Sequence, residues 1–414
     1  MAVDSLGRTL MTVTDILSPE CLADPAGVWE ALRETEPLAF HEGMNAYVIS
    51  RYADVERAFK DPVFTSDNYS WQLEPVHGRT ILQMDGREHA IHRRLVTPAF
   101  RGDQLTSRFV PVMRRNATEL LDAFRHDGEV DLVDAFTTRY PINVIVDMLG
   151  LPKSDHGLFH GWYTALMGFL ANLTQDPEVA AAGLRARDEL ADYLLPRIAA
   201  RVADPGDDLM SVLCTAEIDG NRMTAAQVKA FVSLLLLAGG ETTDKALANM
   251  MLNLIRNPDQ MAKVRADRTL IGHALAETLR HSPPVQLIMR QPSADVELSG
   301  GTVPAGSTVI CLIAAANRDP RHYTDPDRFD VTRPDLDFAK AYTAAANHTG
   351  FALGRHFCVG AMLARTEVEV AANTLLDAMH DIELSDPPVP QGLFTRAPTS
   401  MRLRFRPGKA VDVR

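Results

Sequence analysis

Apolar residues along much of this chain recur every three to four positions, the spacing of one buried helix face. Phe109, Val112, Met113, Leu120, Leu121 and Phe124 follow it, as do Leu190, Tyr193, Leu194 and Ile198, so residues 102–259 are predicted to be mostly helical. The longest helix is predicted to start at Thr224, a good N-cap, and to run to Asn257, where Pro258 stops it. At 1.5 Å per residue it spans about 50 Å. Its middle, Phe231 to Gly240, is apolar on every face, the pattern of a helix that crosses an interior. Strand patterns are fewer. Ala46–Ser50 is one, and Asp295–Leu298, Gly300-Gly301 and Ser307–Ile313 read as a small antiparallel unit. Residues 317–349, rich in Asp, Pro, Arg and Asn, show neither period and are expected to form an irregular segment pinned by specific contacts. A hairpin signal surrounds Gly392. Long helices with small antiparallel sheets, a mainly α (α+β) chain forming one domain over residues 1–414, are the expectation.

Composition narrows the class. At 46% hydrophobic the chain can bury a large core. With 54 acids against 42 bases, a net charge of −12, it lacks the basic face that wrapping nucleic acid requires. Met1–Glu20 mixes Asp4, Arg8 and Asp15 with short apolar pieces and has no signal-peptide core. The longest apolar run, Val232–Ala238, is far short of the roughly 20 residues that span a bilayer. A cytoplasmic protein without a membrane segment is expected. Cys21, Cys214, Cys311 and Cys358 show no CxxC spacing, so neither a disulfide framework nor a zinc knuckle is expected.

Two segments concentrate unusual chemistry. Cys358 lies in Phe351-Ala-Leu-Gly-Arg-His-Phe-Cys-Val-Gly360, between two glycines and just ahead of a predicted helix at Ala361. Backbone N–H groups at a helix N-terminus stabilise a thiolate, and Gly354 and Gly360 let the main chain approach a flat ligand. On the long helix, Ala238-Gly-Gly-Glu-Thr-Thr243 interrupts the apolar run. Glycines in a helix interior cost roughly 1 kcal/mol each, so the pair indicates that something passes close to the backbone. Thr242, one turn after Ala238, can return its hydroxyl to the Ala238 carbonyl and open the helix locally. With Glu241 beside it, a hydroxyl and an acid inside an apolar helix form a candidate proton relay.

The pattern Phe351-x-x-Gly354-x-x-x-Cys358-x-Gly360 resembles the haem-binding loop of the cytochromes P450, and Ala238-Gly239-Gly240-Glu241-Thr242 resembles that family's oxygen-activation motif. The resemblance implies a P450 fold around haem b, with Cys358 as the axial thiolate that pushes electron density onto iron. Phe351 would pack beside the sulfur, and Thr242 and Glu241 would deliver protons at a pocket formed by Ala238 and Gly239. Glu277-Thr-Leu-Arg280, with Arg333 rather than Arg328 downstream, is similar to the family's Glu-Arg-Arg triad, a structural ion network. His89 and Arg93, matching the family's His-x-x-x-Arg, together with Arg290 and His356, would clamp the haem propionates.

The activity so implied is a bacterial monooxygenase that inserts one atom of O2 into a small, mainly apolar substrate. Without flavin or iron–sulfur sequence, the chain is expected to draw electrons from a separate ferredoxin or flavodoxin-type donor with its NAD(P)H reductase. Arg101, Arg114, Arg115, Arg355 and Arg365 are expected to form a positive docking patch on the Cys358 side. The substrate cavity is expected to be lined by the segment from Tyr69 to Leu82 with Trp71, by the region from Trp162 to Leu173 with Leu166, Phe169 and Leu170, and by Leu234, Leu235, Val285, Leu287, Ile288, Leu393 and Phe394. A peroxide-driven peroxygenase and a non-catalytic haem-binding sensor are the alternatives, both disfavoured by the Glu241-Thr242 pair.

Overall fold

The structure, a computed structural model, describes residues 15–102, 104–172 and 176–408. The N-terminal residues read above for a leader, Met1–Thr14, and Leu173 lie outside the described residues. Eight helices position the site: α1 (Gly86–Val96), α2 (Val110–Asp122), α3 (Arg139–Met148), α4 (His156–Leu170), α5 (Pro177–Ala203), α6 (Ala225–Arg256), α7 (Ile271–His281) and α8 (Ala361–Ala378).

The long helix predicted from the sequence is α6, 32 residues with Thr224 as N-cap. Thr224 and Gln227 form a capping box, the Gln227 N–H donating to Thr224 Oγ1 at 3.3 Å and the Thr224 N–H to Gln227 Oε1 at 2.8 Å. Helices α3, α5, α7 and α8 pack around it, so its all-round apolar character is spent on four neighbours. The glycine pair in its middle has a packing cause that the sequence did not specify. A Cβ on Gly239 would lie 2.9 Å from Ile145 Cδ1, and one on Gly240 would lie 3.1 Å from Ile142 Cγ1. What passes close to these glycines is therefore α3. The helix remains continuous through Thr242.

Beside the helices lies a five-stranded sheet whose strands are β1 (Leu38–His41), β2 (Ala46–Ile49), β3 (Phe64–Thr65), β4 (Leu287–Pro292) and β5 (Thr308–Leu312), in the order β1-β2-β5-β4-β3. All its pairs are antiparallel except β2 with β5. The predicted pairing of Asp295–Leu298 with Ser307–Ile313 is wrong. Val296–Leu298 returns at once on Gly301–Val303, while Thr308–Leu312 enters the larger sheet. Gly300 and Gly301, at φ +102° and +149°, turn the chain before a longer connection is needed. Around Gly392, Pro390–Gln391 pairs with Ala397–Pro398 as a short hairpin.

The irregular segment 317–349 is held by a buried ion network. Glu277, Arg280 and Arg333 are 0%, 0% and 4% exposed, and Glu277 Oε1 lies 2.8 Å from Arg280 Nη2 and 3.2 Å from Arg333 Nε. Further guanidinium protons go to loop carbonyls, Arg280 to Asn317, Pro326 and Arg328, and Arg333 to Thr324, Asp325 and Arg328, while Arg333 Nη1 also lies 3.2 Å from Asp335 Oδ1. Arg328 supplies its carbonyl, and its own side chain faces solvent beside Asp330. The segment's two ends are joined by Asn317, whose Oδ1 accepts from the Thr349 N–H and hydroxyl at 2.9 Å each and whose Nδ2 donates to the Leu279 carbonyl at 3.0 Å. Removing one partner of a buried ion network typically costs about 3–5 kcal/mol, whereas an exposed pair contributes less than about 1 kcal/mol. In urea unfolding, Arg333→Ala is expected to lose the former and Arg328→Ala the latter.

Two buried histidines give the fold a pH dependence. His77 donates or accepts at Ser233 Oγ, 2.8 Å from Nδ1, and His348 sits between the Ala341 carbonyl, 3.0 Å from Nε2, and the Gly350 N–H, 3.3 Å from Nδ1. Burial pushes each imidazole down to about 4. In the unfolded chain they titrate near 6.5, so between these values only the unfolded chain takes up the protons. Stability therefore falls as the pH drops from 6.5 toward 4, by about 1.4 kcal/mol per pH unit for each histidine. Urea midpoints measured across this window should show a shallower slope in His348→Gln, whatever that variant's starting stability.

Candidate active site

A cavity of about 250 Å³ lies between α1, α6, the Pro284–Ile288 stretch, the loop from Gly350 to Gly360 and the first turns of α8. Its walls divide into a sulfur side and an apolar helix side.

On the sulfur side, the loop closes on itself when the Cys358 N–H donates to the Phe351 carbonyl at 2.9 Å. Phe351 and Phe357 meet edge to face beside the thiol. Burial pushes the Cys358 thiol up, while the Gly360 N–H and the nearby Arg93 charge pull it down. The loop is crossed at Gly354, where φ is +68° and a Cβ would sit 2.6 Å from the Phe59 carbonyl oxygen. Gly354 thus serves a chain crossing and is not part of the cavity wall. Gly360 does line the wall, its Cβ direction ending 3.9 Å from Cys358 Sγ.

Cations gather on one rim. His89 and Arg93, four apart on α1, both face the cavity, with the His356 ring centre 4.3 Å from that of His89 and tilted 43° to it. Asp85, just before α1, binds His356 Nε2 at 3.1 Å and Arg355 Nε at 2.7 Å and accepts from the Ser66 N–H at 3.2 Å. Burial pushes the Asp85 carboxyl up, but the hydrogen bonds from His356 and Arg355 outweigh it and hold the group well below the usual range. His89 is pushed down to about 4, by burial first and then by its cationic neighbours. Arg93 is half-buried and has no carboxylate partner among the described residues. Arg290 is buried but not in the wall. It donates to its neighbour's carbonyl, Met289, at 2.8 Å, with its guanidinium 5.2 Å from the Phe59 ring centre. Glu367, on α8 two and a half turns after Cys358, was missed by sequence reasoning. It is 1% exposed, lines the cavity and leaves Oε1 without a partner, and burial alone raises it well above the usual carboxyl range. Counting helical turns from the cysteine would have found it.

Opposite runs α6, exposing Leu234, Leu235, Ala238, Gly239, Thr242, Thr243 and Ala246 to the cavity. Thr242 Oγ1 donates to the Ala238 carbonyl at 2.6 Å, as expected from the spacing. Glu241 points elsewhere. Its Oε1 accepts from Thr395 Oγ1 at 2.5 Å and lies 3.0 Å from Lys245 Nζ, outside the cavity wall.

The substrate-lining residues expected from the sequence separate cleanly. Leu234, Leu235, Val285 and Ile288 line the cavity, together with Ile81, Leu82, Phe100 and Phe231. Leu287 does not, because successive residues of β4 face opposite sides and Leu287 packs into the sheet's other core. Leu393 and Phe394 pack against that same core. Leu166, Phe169 and Leu170 are used in packing α4, with Phe169 against Gly183 of α5. Trp71 is 63% exposed, its short helix held by Gln72 Nε2 against Met289 Sδ at 2.8 Å. The expected arginine patch is also thinner than read. Arg115 pairs with Asp147, Arg355 with Asp85 and Arg365 with Glu369, whereas Arg101 and Arg114 are exposed and carry no ion pair among the described residues.

A thiol under an N–H group, an apolar face opposite and a half-buried guanidinium with no carboxylate partner suit a planar ligand bearing both a metal and carboxylates, and haem answers that description. The comparisons agree with the geometry. Residues 178–391 match the family model for cytochrome P450. The chain is 40% identical over 394 residues to a pulcherriminic acid synthase of Bacillus subtilis, covering 94% of this chain and 97% of that one. It is 33% identical over 388 residues to the cytochrome P450 monooxygenase PikC of Streptomyces venezuelae, covering 90% and 88%. Among solved structures, cytochrome P450 CYP109Q5 of Chondromyces apiculatus superposes with a TM-score of 0.85 at 31% identity, over 96% of this chain and 99% of that one.

The fold and the site are those of a haem-thiolate oxygenase. The chain belongs to the cytochrome P450 family. It is an oxygen-incorporating oxidoreductase, a monooxygenase that binds haem b through a cysteine thiolate and receives electrons from a separate redox partner. None of the helices among the described residues is long and apolar enough to cross a membrane.

Gly354→Ala tests the loop crossing. Forcing a non-glycine residue into the left-handed region costs roughly 1–2 kcal/mol. The same change at Gly86, φ +57° with open space around its Cβ, incurs only that part. Gly354→Ala should lose more in urea unfolding, because the Phe59 carbonyl must also move.

Proposed function

We propose that Cys358 is the iron ligand and that this enzyme hydroxylates, or otherwise inserts oxygen into, a compact, largely apolar molecule in the cytoplasm. The observation that carries the reading is the placement of Cys358 Sγ under the Gly360 N–H in the wall that faces Thr242. Haem, when bound, supplies the iron at which dioxygen is reduced, one oxygen atom going to the substrate and the other to water. Arg93, His89 and His356 hold the propionate edge, and Phe351 and Phe357 shield the sulfur from water. Arg290 supports the same edge from behind.

Thr242 holds a proton on Oγ1, parked on the Ala238 carbonyl, in the cavity wall that faces Cys358. Glu241 resupplies it from the Lys245 side, and Lys245 is 22% exposed to solvent. Leu234, Leu235, Phe231, Val285 and Ile288 hold the substrate by apolar contact and exclude water. Oxygen insertion is also the chemistry named for one relative, a cyclomarin C epoxidase of Salinispora arenicola. Ala238 and Gly239 line the cavity beside Thr242.

The test is the carbon monoxide spectrum of the reduced protein. Wild type should show the strongly red-shifted Soret band of thiolate-ligated haem, and Cys358→Ala should lose that shift while its far-UV circular dichroism is retained. A red-shifted band in Cys358→Ala would refute the assignment.

As electron donor we propose a small acidic ferredoxin or flavodoxin, itself served by an NAD(P)H reductase and docking near Arg101. Arg101 is exposed, and its charge is felt by Arg93, which in turn neighbours Cys358. Arg101→Glu should slow reduction by an acidic ferredoxin severalfold at low salt and flatten its salt dependence, without lowering the urea midpoint. An unchanged rate and salt dependence would remove Arg101 from the docking face.

A further inference from the structure

Each turnover takes two electrons from the partner and two protons from solvent, and returns one oxygen atom in product and one in water. Without substrate, the same electrons and protons convert O2 to hydrogen peroxide. Proton supply must therefore be restrained when the cavity holds no substrate, and the environment of Glu241 supplies a restraint.

We propose that Thr395 is a positioning residue that latches Glu241 away from the cavity. The inference rests on the reading of Glu241 as the acid that resupplies Thr242. Glu241 is buried, and both contacts to its Oε1, the Thr395 hydroxyl at 2.5 Å and Lys245 Nζ at 3.0 Å, lie outside the cavity wall to which Thr242 belongs. To reach Thr242, the carboxylate must leave one or both.

Lys245 is four residues along the same helix and moves with Glu241, so it cannot report on anything outside α6. Thr395 belongs to a different part of the chain. Its backbone bridges Val285, and two further hydrogen bonds lock the pair: the Gln286 N–H to the Phe394 carbonyl and the Arg396 N–H to the Pro284 carbonyl, 2.8 Å each. Pro284 and Val285 line the cavity. The donor that restrains the acid is therefore carried on a segment bridged directly to the substrate wall. Asn249, two turns further along α6, binds the Arg396 carbonyl at 2.9 Å and fixes the distance between hairpin and helix.

The test uses the haem-loaded enzyme with a plant-type ferredoxin and its NADPH reductase, and no substrate. Thr395→Val, which keeps the shape and removes the donor, should raise NADPH-driven peroxide release at least threefold, and Thr395→Ser should restore the wild-type rate. Should valine prevent folding, Thr395→Ala carries the same expectation. In a Glu241→Gln background the effect should vanish, since the latch has lost the acid it holds. Peroxide-driven oxidation of guaiacol, which brings its own protons, should stay within twofold in each Thr395 variant with Glu241 intact and so separates a damaged haem pocket from an altered latch. If Thr395→Val releases peroxide at the wild-type rate, or changes it equally in the Glu241→Gln background, the latch is refuted. If Glu241→Gln alone leaves both oxygen consumption and peroxide release unchanged, it is instead the proton-carrying role of Glu241 that fails.

Discussion

Everything around the sulfur depends on one carboxylate, that of Glu277, buried between two arginines. A chain segment of over thirty residues with neither helix nor strand has no ladder of its own to satisfy its backbone. Arg280 and Arg333 supply the missing donors, accepting Glu277 as counter-charge and spreading their other protons over the carbonyls of residues 317–328. Asn317 then brings the end of the segment, Thr349, back to its beginning. Only after that closure does the chain enter the loop that presents Cys358. The position of the sulfur thus follows from an ion network that touches neither cofactor nor substrate.

The second organising constraint is an unequal distribution of charge around an apolar cavity. His89, Arg93 and His356 share one rim, and Asp85 neutralises only part of it, leaving Arg93 without an anion. The far wall carries the Thr242 hydroxyl, satisfied within its own helix, next to an acid turned outward. A ligand that is anionic at one edge and apolar across its face meets both conditions at once. Glu367 adds a third element, a carboxyl in the cavity wall that burial pushes up from the usual carboxyl range.

Features with a local cause could be read from the sequence. The cap at Thr224 and the stop at Pro258 bound α6 because both act within one turn. The loop around Cys358 and the Thr242 back-bond are likewise short-range, and the Glu277–Arg280 pair needs only three residues of helix. What failed depends on which side of an element faces what. Leu287 and Ile288 were both placed in the cavity, although adjacent residues of a strand cannot share a face. Leu166, Phe169 and Leu170 are as apolar as any cavity residue, and only the packing of α4 on α5 assigns them elsewhere. The partner of Val296–Leu298 is Gly301–Val303, a strand of only three residues directly after the Gly300 turn, whereas the apolar run Ser307–Ile313 is the stronger strand pattern. Arg355 and Arg365 carry charge, but distant or helical carboxylates use it up.

The seam between α3 and α6 has a consequence for how this enzyme can diversify. Ile142 and Ile145 fill the space that side chains at Gly240 and Gly239 would take, so the oxygen-side wall cannot be reshaped without unseating two helices. The opposite half of the cavity, bounded by Leu234, Leu235, Val285 and Ile288, is made of side chains that can be exchanged one at a time. Selectivity is therefore free to drift while the reactive centre stays as it is, and lineages built on this scaffold should differ in what they accept far more than in how they oxidise it.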